Sequence, residues 1–239
     1  MMRALWSAGA VALLSGACRP APAAKPTPAA PAAATPPATS PRPPERPAVP
    51  PVTEYAGTMP KQIPRQALAY RDNFIRIWRF FFNLAETPTI GFSQVHQESR
   101  WDSTAHSAFA SGLAQFTPAT AADYSRLLPA EVRARCPSKA GCPTSPNWAL
   151  NALALYDFNL RKQITWAETD DDHWRLALAA YNGGLGWLVK ERVKANGSGR
   201  WADIADACMR KKEFCEENRN YPVVILEKWF PIYRKWLGL

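Results

Sequence analysis

The sequence predicts a mainly α-helical domain standing behind an export signal and a Pro/Ala-rich linker. Three observations predict it. From about residue 60 to the C-terminus, apolar residues recur at helical spacing. No stretch there alternates cleanly enough to commit to a sheet, which leaves room for a two- or three-strand hairpin at most. Thirteen of the 23 prolines lie between Pro20 and Pro51, where most of the other residues are Ala or Thr, so that segment cannot build a core. A chain of 239 residues with 47% hydrophobic content can bury one sizeable core, and the N-terminal quarter leaves little for a second.

Residues 1–17 read as an export signal. Arg3 precedes an apolar run from Ala4 to Leu14, too short for a stable bilayer span, and the small residues Ser15, Gly16 and Ala17 follow. Leu14-Ser15-Gly16-Ala17-Cys18 looks like a bacterial lipobox in which the leucine stands one place earlier than usual, so Cys18 is the expected site of lipidation. Cysteine arithmetic supports this. Without Cys18 four cysteines remain, Cys136, Cys142, Cys208 and Cys215, and four can pair completely in an oxidising compartment. Of the three connectivities, the local one is favoured, because Cys136 with Cys142 and Cys208 with Cys215 each bracket a short loop; a zinc site is the rival reading, though neither spacing resembles the usual close ligand pairs. Residues 18–53 then form an extended tether reaching on the order of 100 Å at polyproline rise.

The formal charge is +9, of which Arg3 supplies one. No helix-turn-helix, zinc-finger or RNP pattern appears, so nucleic acid is not the expected partner. The excess suits an anionic envelope surface or the peptide carboxylates of a cell wall.

Residues 60–239 make the domain. Pro64 to Glu86 is the first long helical pattern, with Leu68, Phe74, Ile75, Trp78, Phe81 and Phe82 as its apolar face. Pro88 stops it and Thr89 caps a short second helix through Ile90, Phe92, Val95 and Ser99, so that Glu98 sits in the last turn. A carboxyl in that half-apolar place loses hydration, and its pKa rises toward the range of a general acid. Asp102 lies four residues on, but Ser103 and Thr104 end the helix and make it a surface or capping residue. Helix resumes from Pro118 to about Leu128, breaks at Pro129, and passes a loop holding Cys136 and Cys142. Asn147 to Ile164 is apolar around much of its circumference, which predicts a central, buried helix. Thr169-Asp170-Asp171-Asp172 invites a calcium reading, but the acids do not alternate with other ligands and no turning glycine follows; they read as the N-terminus of a helix through Tyr181 that Gly183, Gly184 and Gly186 end. A shorter helical piece spans Trp201 to Glu216, and a last one, Tyr221 to Leu239, carries Trp229, Phe230, Tyr233 and Trp236 as core.

The motifs carry the function. Glu98-Ser99, Ser107 nine residues after the glutamate, Gly112-Leu113-x-Gln115 and Pro118-x-Thr120-Ala121 are followed by Ala180-Tyr181-Asn182-Gly183 and by Arg219-Asn220-Tyr221. In this order they resemble the lytic transglycosylase family of the soluble-lytic-transglycosylase, or SLT, type, and Asn147 matches an asparagine that opens a helix in that family. The resemblance implies a lysozyme-like helical domain that cleaves the β-1,4 bond between N-acetylmuramic acid and N-acetylglucosamine in peptidoglycan glycan strands and leaves a 1,6-anhydro product. It implies Glu98 as the one acid, then base, with no metal and no cofactor. Tyr181 and Tyr221 correspond to tyrosines near the catalytic carboxyl, Gln115 and Asn182 to polar cleft residues, and Ser107 to a serine near the same site; a buried hydrogen bond is the plainer role for each. Ser99 is read as holding the helix end. Ser107 to Gly112 is one residue shorter than the family stretch, Phe109 and Ala110 stand where its first glycine is expected, and Ala114 and Thr117 replace frequent methionines, so the cleft wall differs. The alternatives are a hydrolytic muramidase and a non-catalytic wall-binding module. The expected location is the periplasm, anchored by lipid at the outer membrane.

Overall fold

In the structure, a computed structural model, residues 59–239 are described. The export signal, the lipidation site Cys18 and the Pro/Ala-rich tether lie outside the described residues. Helix α1 spans Gln66–Phe82 and buries Ala67, Phe74, Ile75, Trp78 and Phe82 along one face. It is shorter than its apolar pattern, because Asn83 takes φ 54° and turns the chain out of the helix. Leu68, assigned above to the apolar face, is 59% exposed; Ala67 and Arg71 hold the buried positions of that turn instead.

Helix α2, Thr89–Ser99, is buried from Thr89 through His96. Thr89 does not cap it. Pro88 is already near helical geometry at φ −63°, so the helix starts one residue early, and the Thr87 hydroxyl accepts the Thr89 N–H at 3.3 Å. At Gly91 there is no room for a side chain, since the rings of Trp78 and Phe74 fill the place a Cβ would take. Phe92 sits within 5.0 Å of Phe74 and 5.1 Å of Trp101 by ring centroids, and Trp236 closes the cluster at 5.9 Å. This aromatic core is the bed on which the Glu98 helix lies.

Helices α3 (Pro118–Leu127) and α4 (Ala130–Arg135) lead to the disulfide Cys136–Cys142. Helix α5, Pro146–Gln163, is the central helix expected: Trp148 through Leu155 are all buried, and it packs on α1, α3, α4 and α6, Asp170–Gly183. Thr169 caps α6, its hydroxyl accepting the Asp172 N–H at 3.0 Å, and the three aspartates occupy the first turn, where the helix dipole favours negative charge. Thr169→Ala is expected to cost about 1 kcal/mol, seen as a melting temperature lower by about 3 °C; an unchanged melt would remove the cap from the account.

Helices α7 (Leu185–Lys194) and α8 (Trp201–Asp206) follow. The single piece expected over Trp201–Glu216 is broken at Ala207–Lys211, and α9, Lys212–Val223, runs straight through Tyr221 rather than ending before it. The disulfide Cys208–Cys215 ties the break to α9. Pro222 lies inside α9 and has no N–H for the helical ladder; just beyond it the chain loosens into a π-helical segment, Val224–Trp229, before α10, Phe230–Leu237. Tyr233 and Trp236 are fully buried, whereas Trp229 and Phe230 are only half-buried. Both the π-helical segment and α10 pack on α2. Among the described residues there is no strand; the chain makes isolated bridges from Ser111 to His106 and to Phe116.

Candidate active site

Glu98 occupies the last turn of α2, as its sequence context requires, and the backbone then reverses at once. Arg100 and Trp101 both adopt positive φ, 52° and 67°, a conformation that disfavours residues with a Cβ by roughly 1–3 kcal/mol each. Packing holds them there. Trp101 is fully buried and its indole N–H donates to the Tyr233 hydroxyl at 2.7 Å. That hydroxyl in turn lies within hydrogen-bond distance of His96 Nδ1, at 2.8 Å. Burial, aided by Arg100 and Lys228, lowers the His96 pKa to about 4, so the ring is neutral, and it stacks on Trp229 at 3.8 Å. Ser99 donates its hydroxyl to the Leu113 carbonyl at 2.9 Å and so ties the end of α2 to the following loop.

Glu98 opens into a groove of about 630 Å³. Ser107, Gln115, Tyr181, Asn182 and Tyr221, from four separate stretches of sequence, line the same groove. Their duties differ. Tyr221 donates its hydroxyl to Glu98 Oε1. The Tyr181 hydroxyl does not reach the carboxyl; it donates to the Ala114 carbonyl at 2.7 Å, while its ring lies parallel to that of Tyr221, 6.5 Å away. Gln115 stands at φ 45° with its amide N–H bonded to the Gly112 carbonyl at 3.0 Å and the Ala105 carbonyl at 3.3 Å, so it braces the loop that forms one wall. Ser107 accepts the Ala110 N–H at 3.0 Å and the Phe109 N–H at 3.3 Å, closing the turn that replaces the longer, glycine-containing one. Asn182 accepts from the Asn218 amide at 3.0 Å. Gly112, at φ 78°, backs against the Pro143 carbonyl where a Cβ would stand. Asp102 is exposed and caps its own turn, accepting from the Thr104 N–H at 2.8 Å and hydroxyl at 2.7 Å.

The electrostatics single out one group. Burial pushes the Glu98 pKa up to about 8 and the charge of Glu217 adds to it, while the Tyr221 hydrogen bond pulls the other way. The carboxyl is therefore mostly protonated at neutral pH. Burial and the Glu98 charge hold the Tyr181 and Tyr221 hydroxyls well above the usual phenol range, so both remain donors.

Sequence reasoning passed over several neighbours. Asp157 is fully buried, raised well above the carboxylate range by burial with the Glu98 charge adding, and receives the Gln94 amide at 3.5 Å. The one acid of α5, set between Tyr156 and Phe158, is the signal that could have found it, and Gln94 lies one turn before Glu98 on the same face. Glu213, Glu216 and Glu217 of α9 also line the groove, and nothing in their local pattern distinguishes them from a solvated helix face.

Residues 92–204 match the protein family described as Transglycosylase SLT domain. This stretch is similar to the SLT transglycosylase domain, the helical fold around it is that of a lysozyme-like domain, and the match supports peptidoglycan-related activity of the transglycosylase and lysozyme kind. No curated protein matches the chain. The matched stretch contains Glu98, Ser107, Gln115, Tyr181 and Asn182 and ends before Tyr221, which reaches the site through the fold of α9.

Proposed function

We propose that the protein is a peptidoglycan lytic transglycosylase that cleaves the β-1,4 bond between N-acetylmuramic acid and N-acetylglucosamine, with Glu98 as acid and then base. The observation that carries this is a carboxyl sunk in a groove of about 630 Å³, held protonated by burial and contacted by a tyrosine hydroxyl. In the first step the Glu98 proton passes to the bridging oxygen as the bond from that oxygen to the muramic C1 breaks, and the acetamido oxygen of the same sugar supports the charge at C1. In the second, the Glu98 carboxylate takes the proton of the 6-hydroxyl while that oxygen closes on C1. The product is a 1,6-anhydro sugar, no water is consumed, and Glu98 is protonated again.

A carboxyl that must give a proton and retrieve one works best with a pKa near the working pH, which is where burial puts Glu98. Tyr221 supports the charged interval by donating to the carboxylate. Tyr221→Phe is expected to lower kcat by about tenfold and to move the alkaline limb of its pH profile upward, since the one contact that favours ionisation is gone; a limb that stays in place would contradict this role. Ser107, Gln115, Tyr181 and Asn182 act on the glycan side, three of them by shaping the wall and Asn182 by facing the substrate.

Glu217 gives a second reading its footing. It lines the same groove and its charge is felt at Glu98, so it could serve as the base that brings in water, making the enzyme a hydrolytic muramidase. Mass analysis of muropeptides released from sacculi by the wild type and by Glu98→Gln separates these readings. Anhydro products from the wild type and none from the variant support the proposal; reducing ends support the muramidase. A variant that still performs the biological role would leave a wall-binding module. The same proposal includes export by residues 1–17, lipidation at Cys18, and residues 18–53 as the tether carrying the catalytic domain of residues 60–239 from the outer membrane to the wall.

A further inference from the structure

The hydrogen bonds behind the groove settle an orientation that a side-chain amide rarely reveals. Asn218 is 4% exposed on the inner side of α9. Its Nδ2 donates to the Ala179 carbonyl at 2.8 Å, and its Oδ1 receives the Arg210 Nη2 at 2.7 Å. A backbone carbonyl can only accept and a guanidinium can only donate, so the Asn218 amide can sit in one way alone. The second hydrogen of Nδ2 then points at Asn182, 3.0 Å away, and the atom it meets has to be the acceptor, Oδ1. The Asn182 Nδ2, on the other side of that amide, is left for the groove that Asn182 lines.

Arg210 is held as firmly as Asn218. It lies in the loop closed by Cys208–Cys215, and its Nε and Nη2 donate to the two oxygens of Glu191 at 3.1 and 3.4 Å. Glu191 is 2% exposed and also accepts the Met209 N–H at 3.4 Å. A buried, fully paired ion pair is costly to break from one side. Gly183, next to Asn182, leaves the space this arrangement needs: a Cβ there would run into Arg210 Nη1 and Asn218 Nδ2.

We infer that Asn218 is a positioning residue which, anchored by the Arg210–Glu191 pair, turns the Asn182 amide so that it offers the groove a hydrogen-bond donor for an acceptor oxygen of the glycan. This rests on the reading of peptidoglycan glycan as substrate. The disulfide loop thereby acts on substrate selection without touching substrate.

Steady-state kinetics on purified uncrosslinked glycan strands test it. In Asn182→Asp a carboxylate oxygen still receives Asn218, so the melt is unchanged, but the groove now meets an acceptor; KM is expected to rise about tenfold with a smaller change in kcat. Asn218→Asp keeps its bond from Arg210, makes the Asn182 amide turn round to donate to it, and raises KM by a similar factor. In an Asn182→Ala background, adding Asn218→Asp leaves KM where it was, because the two act as one unit. A wild-type KM for Asn182→Asp, or an Asn218→Asp effect undiminished in the Asn182→Ala background, overturns the inference. Should Asn218→Asp fail to fold, Asn182→Asp decides alone. A wild type that releases nothing from peptidoglycan sinks the proposed function, and this inference with it.

Discussion

Glu98→Gln is expected to lower the release of muropeptides by about a thousandfold and, at the same time, to make the protein more stable at alkaline pH. The first effect is the loss of a positioned proton donor, which contributes about 10²- to 10⁴-fold. Glutamine keeps the size of the side chain and can accept from the Tyr221 hydroxyl, so the groove stays intact. The second effect follows from linkage. The Glu98 pKa is about 8 in the fold against an ordinary 4.5. Below pH 4.5 the carboxyl is protonated folded or unfolded, and the stability it gives is whole. As pH rises the unfolded chain releases the proton first, so stability drains away until the folded group also ionises near pH 8, and then levels off. The amide has no such dependence. Melting temperatures of wild type and variant should therefore agree near pH 4.5 and diverge by roughly 10–15 °C, in favour of the variant, near pH 8. Parallel curves across that window would mean that Glu98 is not held protonated by burial.

The second large effect is structural. Gly112→Ala is expected to cost about 3 kcal/mol and to lower the melting temperature by about 10 °C. Two penalties coincide there: a backbone at φ 78°, which a Cβ disfavours, and the Pro143 carbonyl standing in the Cβ position. Backbone cannot rotate aside as a side chain can, so the loop that carries Gln115 must move away from the groove. Gly184 is the control. Its φ is 90° but the space beside it is open, and Gly184→Ala is expected to cost only about 1 kcal/mol. Equal losses at the two positions would mean that conformation alone, and not the contact with Pro143, makes Gly112 a glycine.

What could be read from the chain and what could not divide along a physical line. The placement of Glu98 was legible because it depends on local features: apolar spacing in Ile90, Phe92 and Val95 before it, and a turn-forming Asp-Ser-Thr run after it. The buried character of α5 was legible for the same reason, and so was the local pairing of each cysteine couple across its own short loop. Contacts between distant stretches were not. Tyr181 and Tyr221 carry the same hydroxyl, yet only Tyr221 reaches the carboxyl, because the Ala114 carbonyl lies nearer to Tyr181. Leu68 looked like core and is 59% exposed, because Ala67 and Arg71 take the buried positions of its turn. The role of Asn218 exists only once α6 and α9 are packed together, and no pattern of apolar residues announces it.

The central claim is that Glu98 completes the reaction with a hydroxyl of the substrate and not with water. Digestion of sacculi in ¹⁸O-labelled water measures that directly, by the mass of the released muropeptides. The expected products carry no label, each lighter by one water than a hydrolytic fragment. One ¹⁸O atom incorporated at the muramic C1 for every bond cleaved would contradict it.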